Sequence, residues 1–401
     1  MSSRYIGGRE EGMVSILTVL FFMVFISILV VSFIKIMSDE QRQSTDNDLS
    51  SSALAAAQGG IEEGQRIIQH CLDKTPNGYD AKSGGGAACN AIFSSTTSVA
   101  PCTVLTGAAG GMNGLRSQLG INDASSGTND ILISTDDGNS SYRQYYTCLT
   151  IKDKLDDLKY FINEGKSVIV PLKTTGVPVT LKLTWKTAEG VYDADGASTA
   201  LTTDAAWKTT SATPKRKPPV LRAQFIPYDP SGAGFDINTV SAESRTMFIY
   251  PTNLAPTASG LGADGNRGTA GMQRTSASYP LVQGICTMGG TAGYLCSKEI
   301  TGLNVSRQYY LRLTLLYGGG KTAELSVSDV KGATGASLQF DRVQFEVDVT
   351  GKANDVFRRV QARVAPGAPD TLMPEYALEI ASDICKLMIT ADEANSVYNC
   401  P

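Results

Sequence analysis

The chain of 401 residues has one histidine, His70, and only two tryptophans. A lone imidazole next to Cys71 argues against a Ser-His-Asp centre, and His70 reads as a polar residue at a helix end. No two cysteines form a CxxC pair, so the tight ligand spacing of a zinc site is missing. Charged residues make up only 18% of the chain, and the formal net charge is -4. There is no clustered basic excess, so no nucleic-acid partner is expected. No GxGxxG motif joins a strand to a helix, which argues against a doubly wound fold. The paired acids Asp136–Asp137 and Asp156–Asp157 read as solvated surface groups rather than a glycosidase pair. No enzymatic activity is expected.

Glycine, by contrast, is abundant, with 40 residues, and serine and threonine are frequent. That composition suits short strands joined by polar loops, as in secreted β-proteins. Eight cysteines, an even number, stand at 71, 89, 102, 148, 286, 296, 385 and 400. Disulfides in an oxidising exterior are the expected use, and eight cysteines allow 105 pairings. Local pairing is favoured. Cys286 and Cys296 flank a glycine-rich turn, and Cys385 with Cys400 would pin the C-terminal tail. Cys71, Cys89, Cys102 and Cys148 would then pair among themselves.

The first seventy residues carry the strongest signal. A polar leader, Met1 to Gly12, ends in glycine, and an uncharged run of 22 residues follows from Met13 to Ile34. As a helix this run reaches roughly 33 Å, enough to cross a bilayer. A cleaved secretory signal would have a shorter apolar core and a small-residue cleavage site after it. Here Lys35, Asp39, Glu40 and Arg42 follow instead. A plain signal anchor also fits the run. Helical periodicity continues through Leu49, Ala53, Ala56, Ala57, Gly60, Ile61, Gly64, Ile67, Ile68 and Cys71. This narrow stripe of small residues suits close contact with a β-sheet.

Gly12 followed by Met13 and the long apolar helix resembles the N-terminus of a type IV pilin or pseudopilin precursor. The small-residue stretch Ala53 to Gly64 is similar to the region after the membrane helix in minor pilins. A second segment, Asp348 to Val364 (DVTGKANDVFRRVQARV), resembles the last hairpin of large minor pilins of the PilX type. There a Thr-Gly-x-Ala turn joins strands of the head. The resemblance implies processing between Gly12 and Met13 by a prepilin peptidase, and methylation of Met13. It also implies a filament-core helix that includes Met13, Leu17, Leu20 and Phe21. Most pilins carry glutamate at the fifth mature position, which here is Leu17. A buried glutamate needs a partner, thought in the family to be the terminal amine of the subunit ahead. A subunit at the tip has none ahead, so Leu17 points to a minor, tip-located or priming subunit, although a plain anchor would lack the glutamate as well.

Beyond the helix, residues 72–141 read as a loop-rich, disulfide-bonded region broken by Gly84 to Gly86 and Gly107 to Gly111. Strand patterns dominate from Tyr142. Val179 to Trp185, Tyr309 to Leu315, Val343 to Val349 and Val356 to Val364 alternate with period two. Val168 to Leu172, Leu221 to Ile226 and Met247 to Tyr250 are shorter strand candidates. The fold class expected is α+β: a long transmembrane and stalk helix over 13–71, then a jelly-roll-like β-sandwich head over 142–365. Thr213 to Pro219 is read as a loop within that head. Residues 366–401 would form a C-terminal helix, Tyr376 to Ala391, and a pinned tail.

Ligand candidates are sparse. Trp207, Tyr142 and Tyr145 could present rings to a sugar or a protein pocket. Asp193 and Asp195 form a short DxDG, a weak calcium candidate that lacks a third oxygen ligand and the terminal glutamate. The large secretion pseudopilin of the resembled family binds calcium in its head. No other metal or cofactor is expected. The resemblance implies as partners other pilin or pseudopilin subunits, the prepilin peptidase, an inner-membrane assembly platform and a host or neighbouring cell surface. The precursor would span the inner membrane once, and the mature chain would form part of an extracellular filament. A type II secretion tip pseudopilin is the alternative, and an anchored glycan-binding or glycan-hydrolysing protein is a third class.

Overall fold

The computed structural model describes residues 11–75, 78–93, 102–106, 112–122, 130–134, 144–188, 218–228, 240, 244–252, 270–271, 281–288, 293–317 and 322–366. One helix, α1 (Glu11–His70), runs unbroken for 60 residues, roughly 90 Å. The first proline of the chain is Pro76, so nothing stops the helix earlier. Its hydroxyls fold back on its own carbonyls: Ser27 donates to Met23 O at 2.8 Å and Thr45 to Gln41 O at 2.9 Å.

The region expected to be loop-rich holds short elements. A hairpin of β1 (Leu72–Thr75) and β2 (Gly78–Ala81) precedes three helices, α2 (Gly86–Phe93), α3 (Cys102–Thr106) and α4 (Met112–Leu119). Glycines delimit these helices but do not abolish them, because each has apolar residues to bury: Cys89, Ile92 and Phe93 in α2, Leu105 in α3, Met112 and Leu115 in α4.

Fourteen strands follow. They begin with β3 (Ile131–Ser134), β4 (Gln144–Leu155), β5 (Leu158–Ile162), β6 (Ser167–Pro171) and β7 (Thr180–Thr187). Next come β8 (Val220–Tyr228), β9 (Arg245–Thr252), β10 (Ala270–Gly271), β11 (Leu281–Met288) and β12 (Tyr294–Thr301). The last are β13 (Gln308–Leu316), β14 (Ala323–Lys331), β15 (Phe340–Ala353) and β16 (Val356–Val364). They form two main sheets. The small sheet has the order β16-β15-β4-β3 and is antiparallel. The large one runs β5-β14-β7-β12-β11-β9-β8-β13-β6, with β10 alongside β12.

The large sheet does not split into two stacked layers, as a jelly roll would. Its two end strands, β5 and β6, are consecutive in sequence, and the turn between them ties back to β13 through Gly165 N to Leu315 O at 2.8 Å. The sheet therefore coils into a near-barrel. A twisted sheet of this many strands curls rather than staying flat. Leu183 and Trp185 of β7, Phe225 of β8, Cys296 of β12, Leu313 of β13 and Leu325 of β14 share one interior. Trp185 fills it, and its indole donates to Pro219 O at 2.9 Å. A Cβ on Gly284 would lie 2.5 Å from that ring, so glycine makes room for it.

β15 belongs to the small sheet but reaches into both cores. Its start, Phe340 and Val343, belongs to the barrel interior, whereas Phe345, Val347 and Val349 lie in the core beneath α1. At the crossing, the Gln344 amide accepts from Lys159 N at 3.1 Å and donates to Lys159 O at 2.8 Å, so a side chain takes the place of a strand partner. Arg342 adds ionic contacts to Asp153 at 3.6 Å and Asp341 at 3.4 Å.

The distal half of α1 lies on the small sheet through its stripe of small residues. Ala53, Ala56 and Ala57 are fully buried. A Cβ on Gly60 would come within 2.6 Å of Val349 Cγ1, and one on Gly64 within 2.9 Å of Val347 Cγ1. The tightest point is Gly351, where a Cβ would stand 2.1 Å from the Ala53 carbonyl oxygen. The Thr350-Gly351-Lys352-Ala353 segment is thus strand rather than turn. The hairpin turns at Asn354 and Asp355, with Asn354 at φ 53°, a conformation that asparagine tolerates. Disulfides join Cys71 to Cys89, Cys102 to Cys148 and Cys286 to Cys296.

Gly351→Val should destabilise the head by about 1–3 kcal/mol or more in urea titrations, because strand and helix backbones must separate. Gly114→Ala, in α4 with open space around its Cβ position, should leave stability unchanged or raise it by about 0.5–1 kcal/mol. Equal responses from the two variants would contradict the packing described.

Candidate functional site

Three regions of the molecule stand out: the uncovered proximal half of α1, the buried seat that holds its distal half, and the sheet face turned away from it. Gly12 and Met13 fall in the first turn of α1. From Ile16 to Met37 its large apolar side chains are exposed all round the helix, with Leu17 71% and Phe21 68% exposed, and Leu20 likewise uncovered. The helix is long and apolar enough to cross a membrane, and no part of that span is buried in the head. A soluble core helix with this composition would be covered. The chain therefore has a membrane anchor or signal at its N-terminus. Its disulfides suit an extracellular or periplasmic compartment.

The seat of α1 contains charge as well as glycine. Glu63, one residue before Gly64, is buried, and Arg116 of α4 is fully so. Arg116 donates from Nη1 to Leu105 O at 3.1 Å and also bonds Asn113. Arg66 lies 3.8 Å from the Glu63 carboxylate. Burial pushes the Glu63 carboxyl above its ordinary value, while the Tyr146 hydroxyl bonded to it, Arg66 and Arg116 pull it back in part. The same burial, with Glu63 beside it, drives the Tyr146 phenol upwards. This cluster fixes the rotation of α1 over the sheet, because turning the helix would strand buried charge. Sequence reasoning passed over Glu63 and Arg116. The position of Glu63 inside the small-residue stripe was the available signal.

On β4, successive residues point to opposite faces. Tyr146 faces α1, whereas Tyr145 faces away. Tyr145 is opposite Lys352 on β15, and Lys352 is opposite Phe357 on β16, so the three form one row across the sheet. The Lys352 ammonium sits 5.7 Å from the Phe357 ring centroid and 3.3 Å from Asp130 Oδ2. Phe357 is 53% exposed. Farther along the face, Arg359 grips Asp348 with Nε at 2.8 and 3.0 Å from its two oxygens. Arg363 meets Glu346 at 3.0 Å and Asp157 at 3.1 Å.

Tyr142, Trp207, Asp193, Asp195, Cys385 and Cys400 lie outside the described residues, as does the C-terminal helix expected over Tyr376 to Ala391. Of the three ring candidates Trp207, Tyr142 and Tyr145, only Tyr145 falls among the described residues, half-buried on the face turned away from α1. Among the described residues, no group of three or more His, Cys, Asp or Glu side chains could hold a metal ion. No protein-family model matches the chain, and no curated protein matches it.

The raised Glu63 pKa has a defined sign. The folded chain holds the Glu63 proton more tightly than the unfolded one, so that contribution to stability is complete below about 4.5 and is lost as pH rises through the folded value. Glu63→Gln should give a shallower decline in unfolding free energy between pH 4.5 and neutrality than the native chain, with higher stability at pH 7. Urea titrations across that range test this, and an unchanged slope would remove Glu63 as its source.

Proposed function

We propose that the protein is a minor type IV pilin-like subunit, whose work is assembly and surface binding without a catalytic step. The observation that carries this reading is α1: a single 60-residue helix, uncovered and apolar in its first half and seated through glycines on a β-rich, disulfide-bonded head in its second. The Gly12–Met13 junction stands at its start. In this reading the precursor spans the inner membrane once, with its C-terminus outside. A prepilin peptidase cuts between Gly12 and Met13.

Assembly then exchanges lipid for helix. In the bilayer the apolar span meets acyl chains as greasy as itself, so packing rather than dehydration favours its transfer to neighbouring helices. Once outside, each uncovered apolar side chain that a neighbour covers contributes roughly 1.5–3 kcal/mol. An inner-membrane assembly platform would carry out the transfer. Leu17 supports a place at the end of the filament, since this span offers no carboxylate to a neighbour's terminal amine. That argument serves a type II secretion tip pseudopilin equally well, so isolation of surface filaments is what separates the two. The head would project from the filament for adhesion, motility or tip assembly.

Co-expression with a prepilin peptidase, followed by the mass of the N-terminal peptide, tests the reading. The expected product begins at Met13 and is one methyl group heavier than the free amine. An intact leader would overturn the proposal and leave a signal-anchored β-domain. A cut beyond Ser38 would mean a secreted soluble protein.

A further inference from the structure

The small sheet has one face under α1 and one face turned away from it. In a filament built through α1 the second face points outwards, and this is the only step that rests on the function proposed above. The outward face has two aromatic rings in one row, Tyr145 on β4 and Phe357 on β16, with Lys352 between them on β15. Neighbouring strands lie about 4.8 Å apart, so the strands that carry the two rings are about 9.6 Å apart across the sheet. That is about the length of a disaccharide unit. Beyond them come the rows Cys148–Thr350–Arg359, whose cysteine is bonded to Cys102, and Thr150–Asp348–Gln361; a β-bulge at Thr147 shifts the alternation of β4 so that these rows share the face of Tyr145.

The charges on this face decide the chemistry of its partner. Arg359 is held by Asp348, Arg363 by Glu346 and Asp157, and Lys352 by Asp130. Lys152 of β4 stands opposite Glu346 in the row of Arg363, so the four cations of this face are balanced by Asp348, Glu346, Asp157 and Asp130, and an anionic chain would gain little net attraction. What is left available are flat rings and hydrogen-bonding groups. An apolar partner would leave those polar groups without water. A chain of sugar rings meets both demands, with its C–H faces on the aromatics and its hydroxyls on the polar rows. We propose that this face binds a neutral glycan chain, with Phe357 and Tyr145 as its two stacking platforms.

The test uses the full chain in lipid nanodiscs, titrated calorimetrically with cellohexaose, chitohexaose and maltohexaose, and with an alginate hexamer as the anionic probe. At least one neutral hexamer should bind. Phe357→Leu, which keeps an apolar side chain but removes the ring, should weaken that binding about three- to tenfold with an unchanged unfolding midpoint. Tyr145→Ala should weaken it similarly, and Phe357→Tyr should restore it. Three outcomes overturn the proposal: no binding of any neutral hexamer, binding indifferent to both ring deletions, or tighter binding of alginate that Arg359→Gln abolishes. None of them bears on processing at Gly12, so failure here leaves the pilin-like reading to its own peptide-mass test.

Discussion

The contact between α1 and β15 is the constraint on which the rest of the molecule depends. At Gly351 the strand backbone stands so near the helix that a Cβ would meet the Ala53 carbonyl. Ala53, Ala57, Gly60 and Gly64 answer it with the smallest side chains available. Such an approach exchanges side-chain volume for backbone proximity, and it leaves no freedom to slide. One residue of slippage along the helix would bring Leu54 or Gln58 against the strand. The position of the head on its stalk is therefore set by sterics, and the buried Glu63, Tyr146 and Arg116 cluster adds the penalty for rotation.

From that contact the architecture spreads along β15. This strand is 14 residues long, and its two ends lie in different cores. The near-barrel is thus mounted on the same strand that receives the helix. Gln344 and Arg342 bridge the place where β15 leaves one core for the other. The seat of α1 and the barrel interior are thus joined through one continuous stretch of backbone. The disulfides lie at the edges of this frame. Cys71–Cys89 ties the end of α1 to α2, and Cys102–Cys148 ties α3 to β4.

The same frame separates the surfaces by role. The helix-facing side of the small sheet is spent on packing. Its other side has its cations matched to acids, which keeps a basic edge strand from being a general anion trap. The apolar half of α1 is the opposite case: no described residue of the head covers it. So much bare apolar surface needs lipid or another apolar partner to cover it.

How much of this was legible follows from the range of each interaction. The long helix, its small-residue stripe and the alternating strands are local patterns with periods of 3.6 and 2, and the structure contains them. Cys286 and Cys296, only 10 apart in sequence, lie opposite each other on β11 and β12. The short helices α2 to α4 were hidden by the glycines around them. The Thr-Gly-x-Ala segment was misread because its glycine serves a helix 300 residues away, not a turn. Which sheet each strand joins was also illegible: β4 pairs with β15, where Thr147 and Thr350 are 203 residues apart, and no alternation records a partner. The same holds for the curling of the large sheet, which depends on β5 and β6 meeting from opposite ends. By itself, then, the sequence determined the long apolar helix, its small-residue stripe and the β-rich character of the head, because those rest on neighbours in the chain. Only the tertiary structure decided that Tyr145 faces outwards while Tyr146 bonds a buried glutamate, and that one strand holds two cores together, because those depend on pairings that the chain reaches only by folding.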